Sequence, residues 1–372
     1  MLQVIDSLRI GGAQKLMLTF ARQAREQNID LTVVSLSEFN EGMTLAKPLE
    51  KMGVKVFLFP ADKLFSLSRL RAFTRFVKEG KFSVIHAHLT YANIIAGIVG
   101  KLIKTPVLST LHSTAVDKRH AHFLRDKIEL EMLRRAKRIL GVGKSVSDIY
   151  EDILKRDVIT LPNAVDENSP LSADENDALR TQIGLDTAQV IFISVGRLSP
   201  DKGVDDLLQA FTLIHKEKEN VALLIVGDGD LRDELKGLAK KLGLEKVVFW
   251  LGIRNDVPKL LAISDIYISG SRREGLPLSL LEAMMSALPM AVTDVGEVAK
   301  LVNNDAGILV PHSKPKKLAK AALDILAMPN YGKTLGEAGL ARAQKEYGAE
   351  QWFMRTLNIY EEITNIAQEQ AH

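Results

Sequence analysis

Short runs of β-branched and other apolar residues alternate with longer amphipathic stretches along nearly the whole chain. This alternation is typical of parallel strands joined by crossover helices. Helices then cover both faces of the sheet, which explains why the strands read as continuous apolar runs. The pattern therefore restricts the chain to the α/β class.

The pattern runs through the chain twice. The first series of predicted strands lies at residues 2–6, 31–35, 54–58, 84–87, 107–111 and 138–142. Residues 159–166 close this series, and the polar stretch 167–176 has the composition of a linker. The second series of predicted strands lies at residues 190–195, 222–226, 247–251, 266–268 and 290–293. A chain of 372 residues is long enough for two such domains.

We therefore predict two Rossmann-like, doubly wound domains, residues 1–165 and 166–350, that face each other across a cleft. Ligands bind at the carboxyl ends of the strands in this architecture, so the cleft is the expected site. The last segment, residues 351–372, is predicted to be a helix. The apolar stripe of this helix contains Trp352, Phe353, Leu357, Tyr360 and Ile363.

The composition excludes several classes of protein. The chain has no cysteine, which removes disulfides, zinc–thiolate sites, iron–sulfur clusters and thiol catalysis, and which fits a reducing cytoplasm. No apolar run approaches the roughly 18 residues that a membrane-spanning helix needs. The net charge of +3 hides an asymmetry, because residues 1–165 contain 26 basic and 16 acidic side chains and residues 166–372 contain 23 and 30. The two halves are therefore expected to face different partners.

The segment 272–289 (RREGLPLSLLEAMMSALP) carries most of the chemical information. Glu274 precedes a Gly-Leu-Pro turn, and a helix is expected to begin near Ser279 with Glu282 in its first turn. Three amides at the start of this helix would be available to an anion, namely those of Leu278, Ser279 and Leu280. Ser279 and Glu282 also match a capping box, so Glu282 could stabilise the helix N-terminus instead of binding a ligand. Glu274 taken alone is more often a solvated loop acid.

Residues 196–203 (GRLSPDKG) follow one predicted strand and precede a helix. Arg197 and Lys202 on this loop could neutralise two phosphates beside a helix N-terminus. By itself the loop could equally be a turn with two exposed cations. Gly227 lies in a further strand-to-helix turn (VGDG), for which a tight turn and an Asp cap are a sufficient explanation.

Two glycines, Gly11 and Gly12, follow the first predicted strand and would let a ligand approach the backbone at a helix N-terminus. The G-x-G-x-x-G fingerprint is absent, which disfavours an NAD-dependent oxidoreductase.

Three histidines, His86, His88 and His112, lie at the ends of predicted strands. No further ligand near His86 has a suitable spacing, which disfavours a metal site. A hydrogen-bonded structural role is the default for a lone histidine such as His112. Asn163, next to a proline, is by default a turn residue.

The order of these motifs resembles that of the family 4 glycosyltransferases of GT-B fold over practically the whole chain. The motifs that carry the resemblance are GGA after the first strand, HAH near residue 86, the strand-end His112, PNAVD at the domain boundary, GRLSPDKG, VGDG, and Glu274 and Glu282 with seven residues between them. The resemblance implies a retaining sugar transfer from a nucleotide-sugar donor without a metal ion or other cofactor. The second domain would bind mainly the donor and the first mainly the acceptor. The C-terminal helix, residues 351–372, would cross back and pack on the first domain.

The resemblance also implies roles for single residues. Arg197 and Lys202 would hold the donor diphosphate, and Glu282 would accept hydrogen bonds from the ribose hydroxyls. Glu274 would lie close to the transferred sugar, and the backbone of Gly275 and Leu276 would contact the hydroxyls of that sugar. His112 would lie near the reacting carbon. The further donor-binding positions, with the base near residues 254–257, are Gly11, Gly12, Gly227, Arg254, Val257, Gly275, Leu276, Leu278, Ser279 and Leu280. The acceptor-side positions are His86, His88 and Asn163.

This chain departs from the family pattern at three places. Ala287 stands where the family usually has glycine, and residues 295–298 (VGEV) stand where it has an extended Gly-Gly-x-x-Glu element. Gln14 stands where the family often has an acid. The last two departures concern the contacts to the donor sugar and the chemistry on the acceptor side.

Two other functions remain open from the sequence. A nucleotide-sugar epimerase or hydrolase on the same scaffold would lack an acceptor groove, and the basic first domain disfavours it. A non-catalytic, transferase-like binding subunit would share the fold, because fold does not fix function. UDP is favoured over GDP only because it is the commoner donor in the resembled family. The expected acceptor is a glycan or a lipid-linked molecule in bacterial polysaccharide or glycoconjugate synthesis, and no nucleic acid is expected as a partner.

Residues 63–81 combine six basic side chains with one acidic side chain and several large apolar ones. A basic amphipathic helix of this kind is typical of proteins that bind anionic membrane surfaces. The alternative is that Leu70, Phe73 and Phe76 pack the helix onto the sheet. The prediction is a cytoplasmic protein that binds peripherally to the membrane.

Overall fold

The computed structural model describes residues 1–38, 44–113, 123–167, 170–186, 189–303 and 305–369. The chain divides into two compact units. The first unit comprises Met1–Ala164 and Ala349–His372, and the second comprises Val165–Gly348.

The first unit is built on a seven-stranded parallel sheet. Its strands are β1 (Leu2–Ile5), β2 (Thr32–Ser35), β3 (Lys55–Leu58), β4 (Ile85–His88), β5 (Val107–Leu111), β6 (Arg138–Gly141) and β7 (Ile159–Thr160). They are arranged in the order β3-β2-β1-β4-β5-β6-β7. The helices between them are α1 (Gly12–Glu26), α2 (Ala46–Lys51), α3 (Leu67–Glu79), α4 (Thr90–Ile103), α5 (Phe123–Arg135) and α6 (Lys144–Leu154). The central strands are buried along their whole length, as expected for a sheet covered on both faces.

The second unit repeats this plan with six parallel strands. They are β8 (Val190–Val195), β9 (Val221–Val226), β10 (Val248–Gly252), β11 (Ile266–Ser269), β12 (Met290–Thr293) and β13 (Gly307–Val310), in the order β10-β9-β8-β11-β12-β13. Its helices are α7 (Ala173–Ile183), α8 (Val204–Glu217), α9 (Arg232–Lys241), α10 (Val257–Ala262), α11 (Leu278–Met285), α12 (Val298–Val302), α13 (Pro315–Ala327) and α14 (Lys333–Tyr347), with short 3-10 turns at Pro200–Lys202 and Pro329–Gly332. The predicted α/β class and the two doubly wound sheets are confirmed.

The last helix, α15 (Ala349–Glu369), belongs to the first unit. Its apolar stripe packs on α1, where the ring centroids of Phe20 and Phe353 are 4.7 Å apart. Tyr360 and Ile363 on the same stripe are buried. The prediction that this helix crosses back to the first unit is therefore confirmed.

Candidate functional site

Lys202 and Glu274 form the centre of a polar cluster at the carboxyl edge of the second sheet. Nζ of Lys202 donates to both carboxylate oxygens of Glu274, at 2.6 and 2.8 Å. The Ser271 hydroxyl donates to Oε1 of the same carboxylate at 2.7 Å. The two charged side chains are only 25% and 11% exposed, so solvent screens this pair less than an ordinary surface ion pair.

Strand pairing explains why residues so far apart in sequence meet. β8 and β11 are hydrogen-bonded neighbours, so the loops that follow them leave the same edge of the sheet. Gly203 and Gly270 make the closest approach between these loops. Gly203 has a φ of +54°, and a Cβ there would lie 2.1 Å from the carbonyl oxygen of Gly270. Glycine at position 203 therefore lets the loop that carries Lys202 lie directly against the loop that carries Glu274.

Arg272 fixes the same two loops and was not anticipated as a site residue. Its guanidinium donates to Asp205 at 2.6 Å, to Asp206 at 2.7 Å and to the carbonyl of Pro200 at 3.1 Å. The hydrogen bond to Asp205, with further contributions from Asp206, raises the pKa of Arg272. Its partners lie 66 and 67 residues away in sequence, so no local pattern could have revealed this role.

Helix α11 begins at Leu278, one residue before the predicted start, with Pro277 as its N-cap. Ser279 therefore lies inside the first turn, where its hydroxyl accepts a hydrogen bond from Tyr267 at 3.0 Å. The first turn contains no acidic residue, so the expected position of Glu282 in it was wrong. The capping box between Ser279 and Glu282 is not formed.

The three amides predicted for anion binding are not equivalent. The amide of Leu280 donates to the carbonyl of Pro277 at 3.1 Å and is therefore not available, which corrects the prediction for that residue. The amides of Leu278 and Ser279 have no hydrogen-bond acceptor within the described ranges of the chain. Two N–H groups at the helix N-terminus thus remain for a ligand.

The loops after β8, β9 and β10 lie side by side. The amide of Leu198 donates to the carbonyl of Asp228 at 3.0 Å, and the amide of Gly227 donates to the carbonyl of Gly252 at 2.8 Å. Arg197 is exposed on the first of these loops. The predicted diphosphate residue and the predicted VGDG turn therefore share one edge of the sheet.

The region predicted for the base begins with an ion pair. Arg254 donates to both oxygens of Asp256, at 2.7 and 2.6 Å, and this hydrogen bonding lowers the pKa of Asp256. Val257 is 3% exposed and packs in the core, and Leu276 is likewise buried. The buried side chain of Val257 is therefore not available to a ligand. The prediction for Leu276 concerns its backbone, and the burial of its side chain does not contradict it.

The loop after β12 contains the VGEV departure and folds against the Glu274 loop. The amide of Glu297 donates to the carbonyl of Gly275 at 3.1 Å. The Glu297 side chain is buried and pairs with Lys300 at 2.7 Å. Glu297 thus supports the loop that contains Gly275.

In the first unit, helix α1 begins at Gly12, with Gly11 as an N-cap in extended conformation. Gln14, where the family often has an acid, donates from Nε2 to the carbonyl of Ser7 at 2.9 Å. Gln14 therefore binds the loop between β1 and α1. Asn163 is buried shortly after β7.

His86, His88 and His112 form one cluster. Nδ1 of His86 lies 2.6 Å from the hydroxyl of Tyr360, and Nε2 lies 2.7 Å from Oγ1 of Thr110. Nδ1 of His88 lies 3.2 Å from Nε2 of His112. Burial lowers the pKa of His86 to about 3 and that of His112 to about 4. The cluster is therefore neutral near pH 7.

Asp6 is an additional titratable group at this edge that sequence reasoning missed. Its carboxylate accepts hydrogen bonds from the amides of Tyr91 and Ala92, in the first turn of α4, at 3.2 and 2.7 Å. Burial raises the pKa of Asp6 to about 7 in spite of these two hydrogen bonds. The preceding residue, Ile5, pairs in register with His88, which places Asp6 at the same edge as the histidines.

The apolar side chains of helix α3 pack onto the sheet, as the alternative to membrane binding for residues 63–81 predicted. Phe73 and Val77 are fully buried, and Leu70 and Phe76 are packed against the same core. Arg69 is also buried and donates to the carbonyls of residues 63 and 64, so one of the six basic side chains of this segment is not available to a membrane surface.

The described residues contain neither a cluster of metal ligands nor a membrane-spanning helix. No group of three or more histidine, aspartate and glutamate side chains is arranged to hold a metal ion. No helix there combines the length and the apolar character needed to span a bilayer.

Comparison with known proteins identifies the family. Residues 10–169 match the family model Glycosyltransferase Family 4, and residues 175–342 match the model Glycosyl transferases group 1. The UDP-Gal:alpha-D-GlcNAc-diphosphoundecaprenol alpha-1,3-galactosyltransferase of Escherichia coli is 28% identical over 244 residues, which are 62% of this chain and 62% of that protein. The N-acetyl-alpha-D-glucosaminyl L-malate synthase of Bacillus anthracis is 25% identical and aligns with 83% of this chain over 81% of its own length.

A solved structure agrees in fold. The crystal structure of Anabaena Alr3699/HepE in complex with UDP and glucose superimposes with a TM-score of 0.84 at 20% identity, over 97% of this chain and 99% of that one. The two family models together span most of the sequence, and both describe glycosyltransferases. The chain belongs to the group 1 glycosyltransferases of family 4, and its fold is GT-B.

Proposed function

We propose that this glycosyltransferase moves a sugar from a UDP-sugar to a lipid-linked glycan acceptor, with retention of anomeric configuration and without a metal ion. The contact of Lys202 with Glu274 carries the proposal, because the cation that we propose for the diphosphate lies beside the carboxylate that we propose for the sugar. UDP is favoured because the Anabaena structure contains UDP and glucose and the name of the E. coli relative specifies UDP-Gal. The name of that relative also specifies a diphosphoundecaprenol acceptor.

The proposed mechanism is electrostatic. Negative charge grows on the leaving diphosphate as the bond to the sugar breaks. Arg197, Lys202 and the amides of Leu278 and Ser279 would stabilise that charge where it develops. Both oxygens of Glu274 bind Lys202, which holds the ammonium group in place before the reaction. These cations and dipoles would supply the positive charge that a divalent cation supplies in other phosphate-transfer sites.

Retention requires attack on the face from which the diphosphate leaves. A covalent intermediate would need a carboxylate that is free to attack. Glu274 is a poor candidate, because Lys202 engages both of its oxygens and Ser271 engages one of them. We therefore propose direct attack by the acceptor hydroxyl, whose oxygen bonds to the anomeric carbon as the bond to the diphosphate breaks and whose proton passes to the leaving phosphate oxygen on the same face.

A panel of UDP-sugars and GDP-sugars tests the proposal. We expect the wild type to release UDP from one UDP-sugar. Lys202→Ala should lose most of this activity, and the control Lys316→Ala, at an exposed site, should keep it. NMR of the product should show the anomeric configuration of the donor. Reaction with GDP-sugars only would overturn the donor assignment, and an inverted product would overturn retention. Binding of UDP with no transfer from any donor would support the non-catalytic alternative.

A surface of the first unit supports the lipid-linked acceptor. We call it the α3–β3 surface, and it comprises the exposed side chains of Phe57, Leu58, Leu67, Arg71 and Arg75. β3 is the edge strand of the sheet, and Phe57 contacts α3 with a ring-centroid distance of 4.8 Å to Phe76. A cavity of about 400 Å³ beside it is lined by Lys55, Lys81 and three phenylalanines, among other residues. Exposed apolar groups together with cations are suited to an anionic bilayer, where each cation contributes roughly 1 kcal/mol.

Vesicle binding tests this part of the proposal. We expect the wild type to bind phosphatidylglycerol vesicles in a salt-sensitive way. The double variant Arg71→Glu/Arg75→Glu should lose most of this binding. Arg69 is left unchanged because it is buried and would report on folding. The control Lys316→Glu/Lys317→Glu makes the same change in charge on exposed residues of the second unit. Equal binding to neutral and anionic vesicles, or equal losses in both variants, would favour a soluble acceptor.

A further inference from the structure

We propose that His88 is a positioning residue that holds His112 with its proton on Nδ1, so that His112 presents a fixed N–H donor at the carboxyl edge of the first sheet. The role of this donor in sugar transfer rests on the proposed function. The tautomer itself does not, because it follows from the contacts within the first unit.

The first step is that a single proton lies between the two rings. Nδ1 of His88 and Nε2 of His112 are 3.2 Å apart. Burial lowers the pKa of His88 well below its usual value, with smaller contributions from the neighbouring histidines, and it lowers the pKa of His112 to about 4. Both rings are therefore neutral near pH 7, and one of them donates while the other accepts.

The second step gives the direction of this hydrogen bond. His88 is 2% exposed, and its Nε2 has no hydrogen-bond partner among the residues that the structure describes. If His112 were the donor, neutral His88 would carry its proton on this Nε2, as a buried N–H without an acceptor. Buried N–H groups of that kind are rare because they lose their hydration without compensation. We therefore assign the proton to Nδ1 of His88, so that Nε2 of His112 accepts and Nδ1 of His112 is protonated.

The third step concerns what holds His88. Its ring lies 4.0 Å from that of His86, centroid to centroid, and His86 is fixed at both nitrogens. Nε2 of Gln3 donates to the Tyr360 hydroxyl oxygen at 3.3 Å, which leaves the phenolic proton for Nδ1 of His86. Nε2 of His86 then donates to Thr110. The last helix of the chain thus reaches the strand-end histidine through His86 and His88.

The chemical consequence is a donor whose charge stays constant. An ordinary histidine titrates between pH 5 and 8, whereas these rings remain neutral over that range. A neutral N–H in a fixed direction is suited to a sugar hydroxyl or to an oxygen that gains charge during transfer.

NMR of the full chain labelled with 15N-histidine tests the tautomer directly. The His112 ring is assigned by its loss in His112→Asn, and two-bond couplings show which nitrogen carries the proton. We expect protonated Nδ1 in the wild type and in His88→Asn, because the asparagine amide can replace the Nδ1–H donor. We expect His88→Leu to shift His112 toward the Nε2-protonated form. A wild-type His112 that is protonated on Nε2, or one that is unchanged in His88→Leu, would overturn the assignment.

Activity tests the positioning role separately. We expect His88→Leu to lower kcat about five- to tenfold with an unchanged KM for the donor. The conservative variant His88→Asn should keep most of the wild-type kcat. In a His112→Ala background, His88→Leu should add little further loss, because the two residues act as a unit. Fully additive losses, or normal kcat in His88→Leu despite the changed tautomer, would overturn the positioning role. An inactive wild type would contradict the proposed function, while the NMR result would still decide the tautomer.

Discussion

Replacing Lys202 by alanine should weaken UDP binding by much more than the loss of one hydrogen bond. A charged hydrogen bond is worth about 1.5–3 kcal/mol. The substitution also leaves the Glu274 carboxylate, which is 11% exposed, without its cation. If a phosphate charge is assumed to lie about 7 Å from this carboxylate, an effective dielectric constant of about 20 gives roughly 2 kcal/mol of repulsion. The total corresponds to a loss of affinity between about 300-fold and about 4,000-fold.

Calorimetry with UDP and with uridine checks this reasoning. Lys202→Ala should lose UDP affinity and keep uridine affinity, because uridine has no phosphate. Adding Glu274→Gln to Lys202→Ala should recover about 30-fold, because it removes the repulsion. Arg197→Ala should cost only about tenfold, since exposed charges are screened by solvent. Equal losses for UDP and uridine, or no recovery in the double variant, would refute the placement of the diphosphate.

Four further outcomes are expected. Glu282→Gln should weaken UDP and uridine binding alike, by about tenfold, with little change in Tm; lost Tm with unchanged affinity would restore the capping interpretation. Transfer activity should survive EDTA, and a loss that Mg²⁺ reverses would contradict a metal-independent reaction. Tyr360→Phe should lower the free energy of unfolding by about 1–3 kcal/mol in urea titrations, because His86 and Gln3 lose a buried partner; unchanged stability would argue against this network. The lowered pKa of His112 means that the unfolded chain takes up a proton between pH 6.5 and about 4 that the folded chain does not, so the contribution of His112 to stability should fall on acidification across that range, while the raised pKa of Asp6 acts in the opposite direction. Folding stability should therefore fall less on acidification in His112→Asn than in the wild type. An equal dependence of stability on pH in the two proteins would count against the neutral ring.

The architecture could be predicted because a buried parallel strand must be apolar on both faces, and that leaves a continuous signal in the sequence. Predicted strands such as 107–111 and 190–195 coincide with β5 and β8. β13 was missed because it has only four residues and begins with a glycine, which weakens the pattern.

The site residues could be listed from motifs, but not their pairing. The interaction of Lys202 with Glu274 joins residues 72 apart and depends on the adjacency of β8 and β11, which the sequence does not encode locally. Arg69 looked like the other cations of its helix, yet it is buried against backbone carbonyls. Periodicity predicts which face of a helix is apolar, whereas these contacts depend on how the elements pack.

The return of α15 to the first unit has a consequence for how the chain is made. Residues 165–348 are an uninterrupted segment placed between the two parts of the first unit, and Val165 pairs with Gly348 where the chain enters and leaves it. During synthesis the second unit is complete when residue 348 has left the ribosome. The first unit must wait for Tyr360, the buried partner of His86, although most of it was made earlier. A stop codon a few residues before position 360 should therefore damage the fold of the half that was translated first and spare the half translated last.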